Sequence, residues 1–76
     1  MKTCKVIMRF IRDTEVEILK YGLRIDLMRK ASKRFAKSGD SLKVNIVEAL
    51  IRNEEKQKIY REGILTGYKI SLSLMK

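Results

Sequence analysis

Between Leu23 and Phe35 the apolar residues return at every fourth position, and this spacing constrains the chain more than any other feature. Leu23, Leu27, Ala31 and Phe35 stack along one side of a helix, the geometry in which residues four apart are neighbours. At about 100° per residue, Arg29, Lys30, Lys33 and Lys37 fall on the opposite side. The pattern predicts a helix from about Thr14 to Ser38, with Gly22 as a point of interruption. Thr14 and Glu17 stand three apart, as in a capping box. Ser38-Gly39-Asp40 ends the helix, with Gly39 in the left-handed cap position.

Asp40 or Ser41 then caps a second helix. Leu42, Val44, Ile46, Val47, Leu50 and Ile51 make it apolar nearly all round, so it is expected to be the most buried element, with Ile46 inside the core. Asn53 to Lys58 is wholly polar and reads as a solvated helical extension or a long loop, terminated at Tyr60-Arg61-Glu62-Gly63. At the two ends the period changes from about four to two. Val6, Met8 and Phe10 alternate with Lys5, Ile7, Arg9 and Ile11, and Tyr68, Ile70, Leu72 and Leu74 alternate with Lys69, Ser71 and Ser73. Both stretches read as strands, with Gly67 making a turn before the second. The expectation is a small α+β domain over residues 1–76 in the order β-α-α-β, two helices packed on a short sheet made by the N- and C-terminal strands. Residues 1–19 form the N-terminal strand and turn.

Composition narrows the chemistry. Histidine is absent, which removes histidine-based acid–base catalysis, Ser/His/Asp triads and histidine metal sites. The single cysteine, Cys4, cannot form an internal disulfide or a cysteine-rich zinc site, and reads as a small apolar residue in a strand. No glycine-rich phosphate loop occurs among the four glycines. No enzyme activity, cofactor, metal site or small-molecule substrate is expected. No stretch approaches the roughly 18 uncharged apolar residues of a membrane span, so no membrane association is expected either. The start, MKTCKVIMRFIR, has the basic and apolar mixture of a transit peptide and is read instead as the retained first strand. At 76 residues the chain buries only about 60% of its unfolded surface, and a partner surface is its expected support.

The charge is unevenly placed. Lys plus Arg is 18 against 9 for Asp plus Glu, a net +9. Residues 20–37 hold Lys20, Arg24, Arg29, Lys30, Lys33, Arg34 and Lys37 against Asp26 alone, so +6 of that excess lies on one predicted helix. A one-sided basic stripe is the electrostatic footprint of phosphate binding, since each cation can displace a condensed counterion. Phe10 and Phe35 are expected to be buried, so contacts to backbone and shape are favoured over base stacking.

Ser41 to Leu50, followed by Glu62-Gly63-Ile64-Leu65-Thr66-Gly67-Tyr68-Lys69-Ile70, resembles the family of ribosomal protein eight of the small subunit, bacterial and organellar type. The likeness covers residues 24–76, the family's N-terminal half. An insertion lies at Asn53 to Arg61, the proline that precedes the Ser-Leu-Lys segment in the family is missing, and the family's C-terminal half is not represented. The resemblance implies a structural ribosomal protein, in a shortened or split form of the mitochondrial ribosome or otherwise cytoplasmic. Its partners would be ribosomal RNA and neighbouring ribosomal proteins, with Lys20, Arg24, Arg29, Lys30, Lys33, Arg34 and Lys37 on backbone phosphates and Lys43 and Lys69 as secondary contacts. RNA duplexes are read mainly through shape and phosphates.

Two other classes compete. A strand, a helix, Gly39-Asp40-Ser41-Leu42 and a second helix also resemble a ribbon-helix-helix DNA-binding regulator. That reading requires a homodimer whose ribbon, Ile18 to Leu23 or the N-terminal strand, enters the major groove. A third is a small phage or plasmid protein that inhibits a partner.

Overall fold

The computed structural model describes residues 2–75, and among them there is no strand. Met1, and Lys76 with its charge, lie outside the described residues. The chain forms two helices, α1 from Lys2–Lys37 and α2 from Ser41–Met75, folded back on each other as an antiparallel hairpin. The body measures 57 × 14 × 12 Å, close to the length of a straight helix of 36 residues at 1.5 Å per residue. The α+β expectation is thus overturned.

The turn follows the sequence closely. Gly39 takes the left-handed conformation with φ of 77°. Its N–H donates to the Ala36 carbonyl at 3.2 Å, and the Asp40 N–H donates to the Phe35 carbonyl at 3.0 Å. These two bonds form a Schellman cap, which satisfies carbonyls that the end of α1 would otherwise leave open. Asp40 begins α2 at once, its Oδ1 accepting from the Lys43 N–H at 3.2 Å. One short turn therefore stops one helix, starts the next and reverses the chain.

The helices meet along two matching rows. In α1 the inward positions run Cys4, Ile7, Ile11, Thr14, Ile18, Tyr21, Ile25, Met28, Ser32 and Phe35, alternating steps of three and four, and each is buried or half-buried. In α2 the same alternation gives Val44, Val47, Ile51, Glu54, Lys58, Arg61, Leu65, Tyr68 and Leu72. This is the heptad spacing of a coiled-coil seam. Phe10 stacks on Tyr68 with ring centroids 5.6 Å apart, Arg24 pairs with Glu54, and Glu17 pairs with Arg61. The residue numbers in each pair sum to 78, so one register holds from the turn to the open end.

This register explains the misread ends and core. From Val6 to Ile11 the chain is apolar at every position but Arg9, so a period of two and a helical seam through Ile7 and Ile11 fit equally well. At the other end, Leu65, Tyr68 and Leu72 form the seam, while Ile70 and Leu74 point outward. The two ends do come together as expected, but as helices. Cys4 is half-buried in α1 rather than in a strand.

Gly63 and Gly67 continue α2 instead of breaking it, as Gly22 continues α1. Leu23, Leu27, Ala31 and Phe35 are not the core stripe. A strict step of four advances 40° round the helix each time, so the series winds from the outer face at Leu23 to the seam at Phe35. Leu23 and Leu27 are 60% and 64% exposed, and Ile46, expected in the core, is 54% exposed. α2 is not a buried element, and Ile25 and Ile51 are the buried hydrophobic residues among those described.

Two comparisons test these assignments by urea or thermal unfolding of the whole chain. Gly39→Ala should cost about 1 kcal/mol, since an L side chain resists positive φ. Gly22→Ala, where an added Cβ meets nothing within 4 Å, should instead stabilise by up to about 1 kcal/mol. Ile25→Ala should cost about 2–4 kcal/mol. Leu27→Ala should stay within about 0.5 kcal/mol of the parent. Equal effects at Ile25 and Leu27 would place the seam wrongly.

Candidate nucleic-acid interface

The basic residues singled out by the sequence divide into three groups once the register is known. Arg24 and Arg29 face α2. Arg24 Nε donates to Glu54 Oε2 at 3.2 Å, with its guanidinium 4.5 Å from the Tyr21 ring centroid, and Arg29 Nη2 donates to Glu55 Oε1 at 2.8 Å. Both side chains serve the hairpin. These pairs are largely exposed, and pairs of this kind contribute about 0.2–1 kcal/mol each. Arg24–Glu54 lies on the common register, whereas Arg29 reaches six residues further along α2 to Glu55.

Lys30, Lys33, Arg34 and Lys37 form the second group. They stand on the outer face of the last two turns of α1, all exposed, and none has an ion-pair partner among the described residues. Positions 30 to 37 span about 10 Å of helix axis, so the four charges form one cluster. The negative end of the α1 macrodipole stabilises Arg34 and Lys37 in that last turn. The cluster continues the same outer face that carries Leu23 and Leu27, rather than lying opposite them.

The remaining residues stand apart from this cluster. Lys43 is occupied at the turn, with Nζ 3.5 Å from Asp40 Oδ2 and 5.4 Å from the Phe35 ring centroid. Lys20 is exposed ten positions before Lys30, about 15 Å along the helix. Lys69 is exposed near the open end, separated from the turn by about 40 Å of α2. The nine residues are therefore not one surface, and the part with the highest density of free charge is the turn end of α1.

A feature missed by sequence reasoning is the polar stretch of the α2 seam. Glu54, Lys58 and Arg61 occupy inward positions, in the segment expected to be a solvated extension or loop. Their signal is the alternation of three and four carried through from Ile51 to Leu65. Arg61 Nε lies 3.3 Å from Glu17 Oε2 but off the line of its N–H, leaving that buried nitrogen without a hydrogen bond. Among the described residues no group of three Cys, Asp or Glu side chains could hold a metal ion, and no helix is long and apolar enough to cross a membrane.

Comparison of the chain with protein-family models, with curated protein sequences and with solved structures finds no match in any of the three. The turns and terminal strand through which Gly63, Gly67 and Tyr68 to Ile70 resembled a ribosomal family are here continuous α2 helix. The ribbon needed for a ribbon-helix-helix dimer is likewise continuous α1.

The seam makes its own prediction. Arg61→Leu removes a poorly satisfied inward guanidinium and leaves Glu17, which is half exposed, to water. Unfolding should show the variant more stable by about 1 kcal/mol. A loss of stability would mean that the Glu17 pair outweighs the desolvation of Arg61.

Proposed function

We propose that the chain is a non-catalytic nucleic-acid-binding hairpin that grips backbone phosphates with Lys30, Lys33, Arg34 and Lys37. The observation that carries this reading is the cluster itself, four exposed cations within two helical turns, unpaired among the described residues, in a chain of net +9. Some bases elsewhere are paired with acids, as at Arg24, Arg29, Lys58 and Arg61. Others, among them Lys5, Arg9, Arg12 and Lys20, also lack an ion-pair partner among the described residues, but four such cations within eight positions occur only at the turn end of α1. The rigid Schellman turn below it holds the last turn of α1 in place.

The cluster recognises phosphate rather than base. It offers long flexible cations on a convex helix face, with no aromatic residue on that face to stack a base and no pair of side chains set for a base edge. Binding should therefore be sensitive to salt and tolerant of sequence. A structural role on folded RNA, as the ribosomal likeness implied, is one form of this activity. On that form, shape and phosphate contacts suffice.

The test is a salt titration of binding to duplex RNA, duplex DNA and single strands by fluorescence anisotropy. Combining Lys30→Ala, Lys33→Ala and Lys37→Ala should weaken binding and flatten the slope of log K against log salt by about 0.7–0.9 for each lost contact. Lys69→Ala should lower the affinity far less. Equal effects of the two sets would remove the turn end from the interface. No binding by the parent chain at low salt would sink the proposal.

A further inference from the structure

The turn-end cluster is not alone on its face of α1. The seam of α1 returns every seven residues, as Cys4, Ile11, Ile18, Ile25 and Ser32, so positions separated by a multiple of seven keep the same side of the hairpin. Arg9 stands in one such column with Lys30 and Lys37, opposite the seam, and Lys5 and Arg12 stand in the neighbouring column with Lys33. Lys5, Arg9 and Arg12 are exposed, and none has an ion-pair partner among the described residues. They form a second basic cluster at the open end, on the face that carries the first.

Between the clusters this face changes character. Val16, Leu19, Leu23 and Leu27 are exposed there, Lys20 is its single cation, and Asp13 and Asp26 bring negative charge. Charge therefore comes at intervals along the axis instead of as one stripe. A continuous anionic surface such as a bilayer would favour cations throughout and repel both acids. A ligand that presents its phosphates periodically along a line matches the pattern.

The interval can be read from the columns. Arg9 and Lys30, like Arg12 and Lys33, stand 21 residues apart, and Arg9 and Lys37, like Lys5 and Lys33, stand 28 apart. At 1.5 Å per residue these are about 32 and 42 Å, with the cluster centres about 37 Å apart. The hairpin is 57 Å long and only 14 × 12 Å across, so α1 carries both clusters on a straight rod. A strand of B-form DNA returns to the same side of its duplex after one turn of about 34–36 Å. The complementary strand crosses that side once in between, and Lys20 stands about midway.

We propose that the ligand of this face is duplex DNA lying along α1, with the two clusters on phosphates of one strand a turn apart. The proposal rests on the phosphate-binding reading above and names its ligand. Asp13 and Asp26 then fall between backbone crossings, where no phosphate opposes them.

The test compares loop-closed DNA duplexes of about 8 and about 20 base pairs, less than one turn and about two. The full chain should bind the longer duplex with a salt slope steeper by about 0.9 for each phosphate contact that the open end adds. Lys5→Ala, Arg9→Ala and Arg12→Ala together should weaken binding to the longer duplex about tenfold or more, and to the shorter by less than about twofold. Arg52→Ala, Lys56→Ala and Lys69→Ala remove the same charge from exposed, equally unpaired positions of α2. Lying on the other helix, they should change neither affinity by more than about twofold at physiological salt. Helical circular dichroism checks that each variant is folded.

Equal losses in the two variants would make net charge the cause and overturn the proposal. An open-end variant that binds the longer duplex like the parent would also overturn it, while leaving phosphate binding at the turn end intact. No binding of the parent to either duplex would overturn both readings. An RNA duplex of equal length should bind more weakly, because an A-form turn is shorter. Equal or tighter binding would give the face to RNA instead, and tighter binding to phosphatidylserine vesicles would give it to a membrane through Leu19, Leu23 and Leu27.

Discussion

Two helices lying side by side can hide one row each, and every other property of this molecule follows from that limit. A single seam of alternating three and four residues is all that either helix can bury against the other. The Schellman turn at Gly39 fixes which rows those are, by setting where α1 stops and which residue of α2 first faces back. From there the register propagates without slip to Phe10 and Tyr68, close to the open end. Stability is thus assembled from many half-buried contacts, with Ile25 and Ile51 as its best-buried hydrophobic points.

The middle of the seam shows what this arrangement costs. Ile25 faces a stretch of α2 in which Glu54, Lys58 and Arg61 replace aliphatic residues. Their charged ends reach the edges of the hairpin, where Arg24 and Glu17 meet two of them. An aliphatic seam would bury more apolar surface under the same turn, which already sets the register.

Much of the local structure was legible in the sequence. The end of the first helix near Ser38, the left-handed Gly39 and the Asp40 cap follow from rules that act within a few residues. The expected start of that helix at a Thr14–Glu17 capping box did not hold, because α1 begins at Lys2 and passes through Thr14 and Gly22 without a break. The terminal segments were not legible in the same way. Val6 to Ile11 is apolar enough to satisfy both periods, so only the partner helix decides between them.

The inward face was hidden for a related reason. The four-residue series from Leu23 drifts round the helix, whereas the less conspicuous row through Ile18, Ile25 and Ser32 stays on one side. The absence of proline from the whole chain favoured two unbroken helices over four elements. Among the basic residues, charge excess singled out α1. It could not separate Arg24 and Arg29, which pair with α2, from the turn-end cluster, because that division depends on where Glu54 and Glu55 stand in space.

The central claim is that both ends of the chain are helical and continuous with the hairpin. The most direct test is the backbone ¹³Cα chemical shift of each residue, measured by NMR on the intact chain. Helical values should run through Val6 to Phe10 and through Gly63, Gly67 and Tyr68 to Leu74, with a break confined to Ser38–Asp40. Extended values at Val6 to Phe10 and Tyr68 to Leu74 would restore the terminal strands and contradict the hairpin.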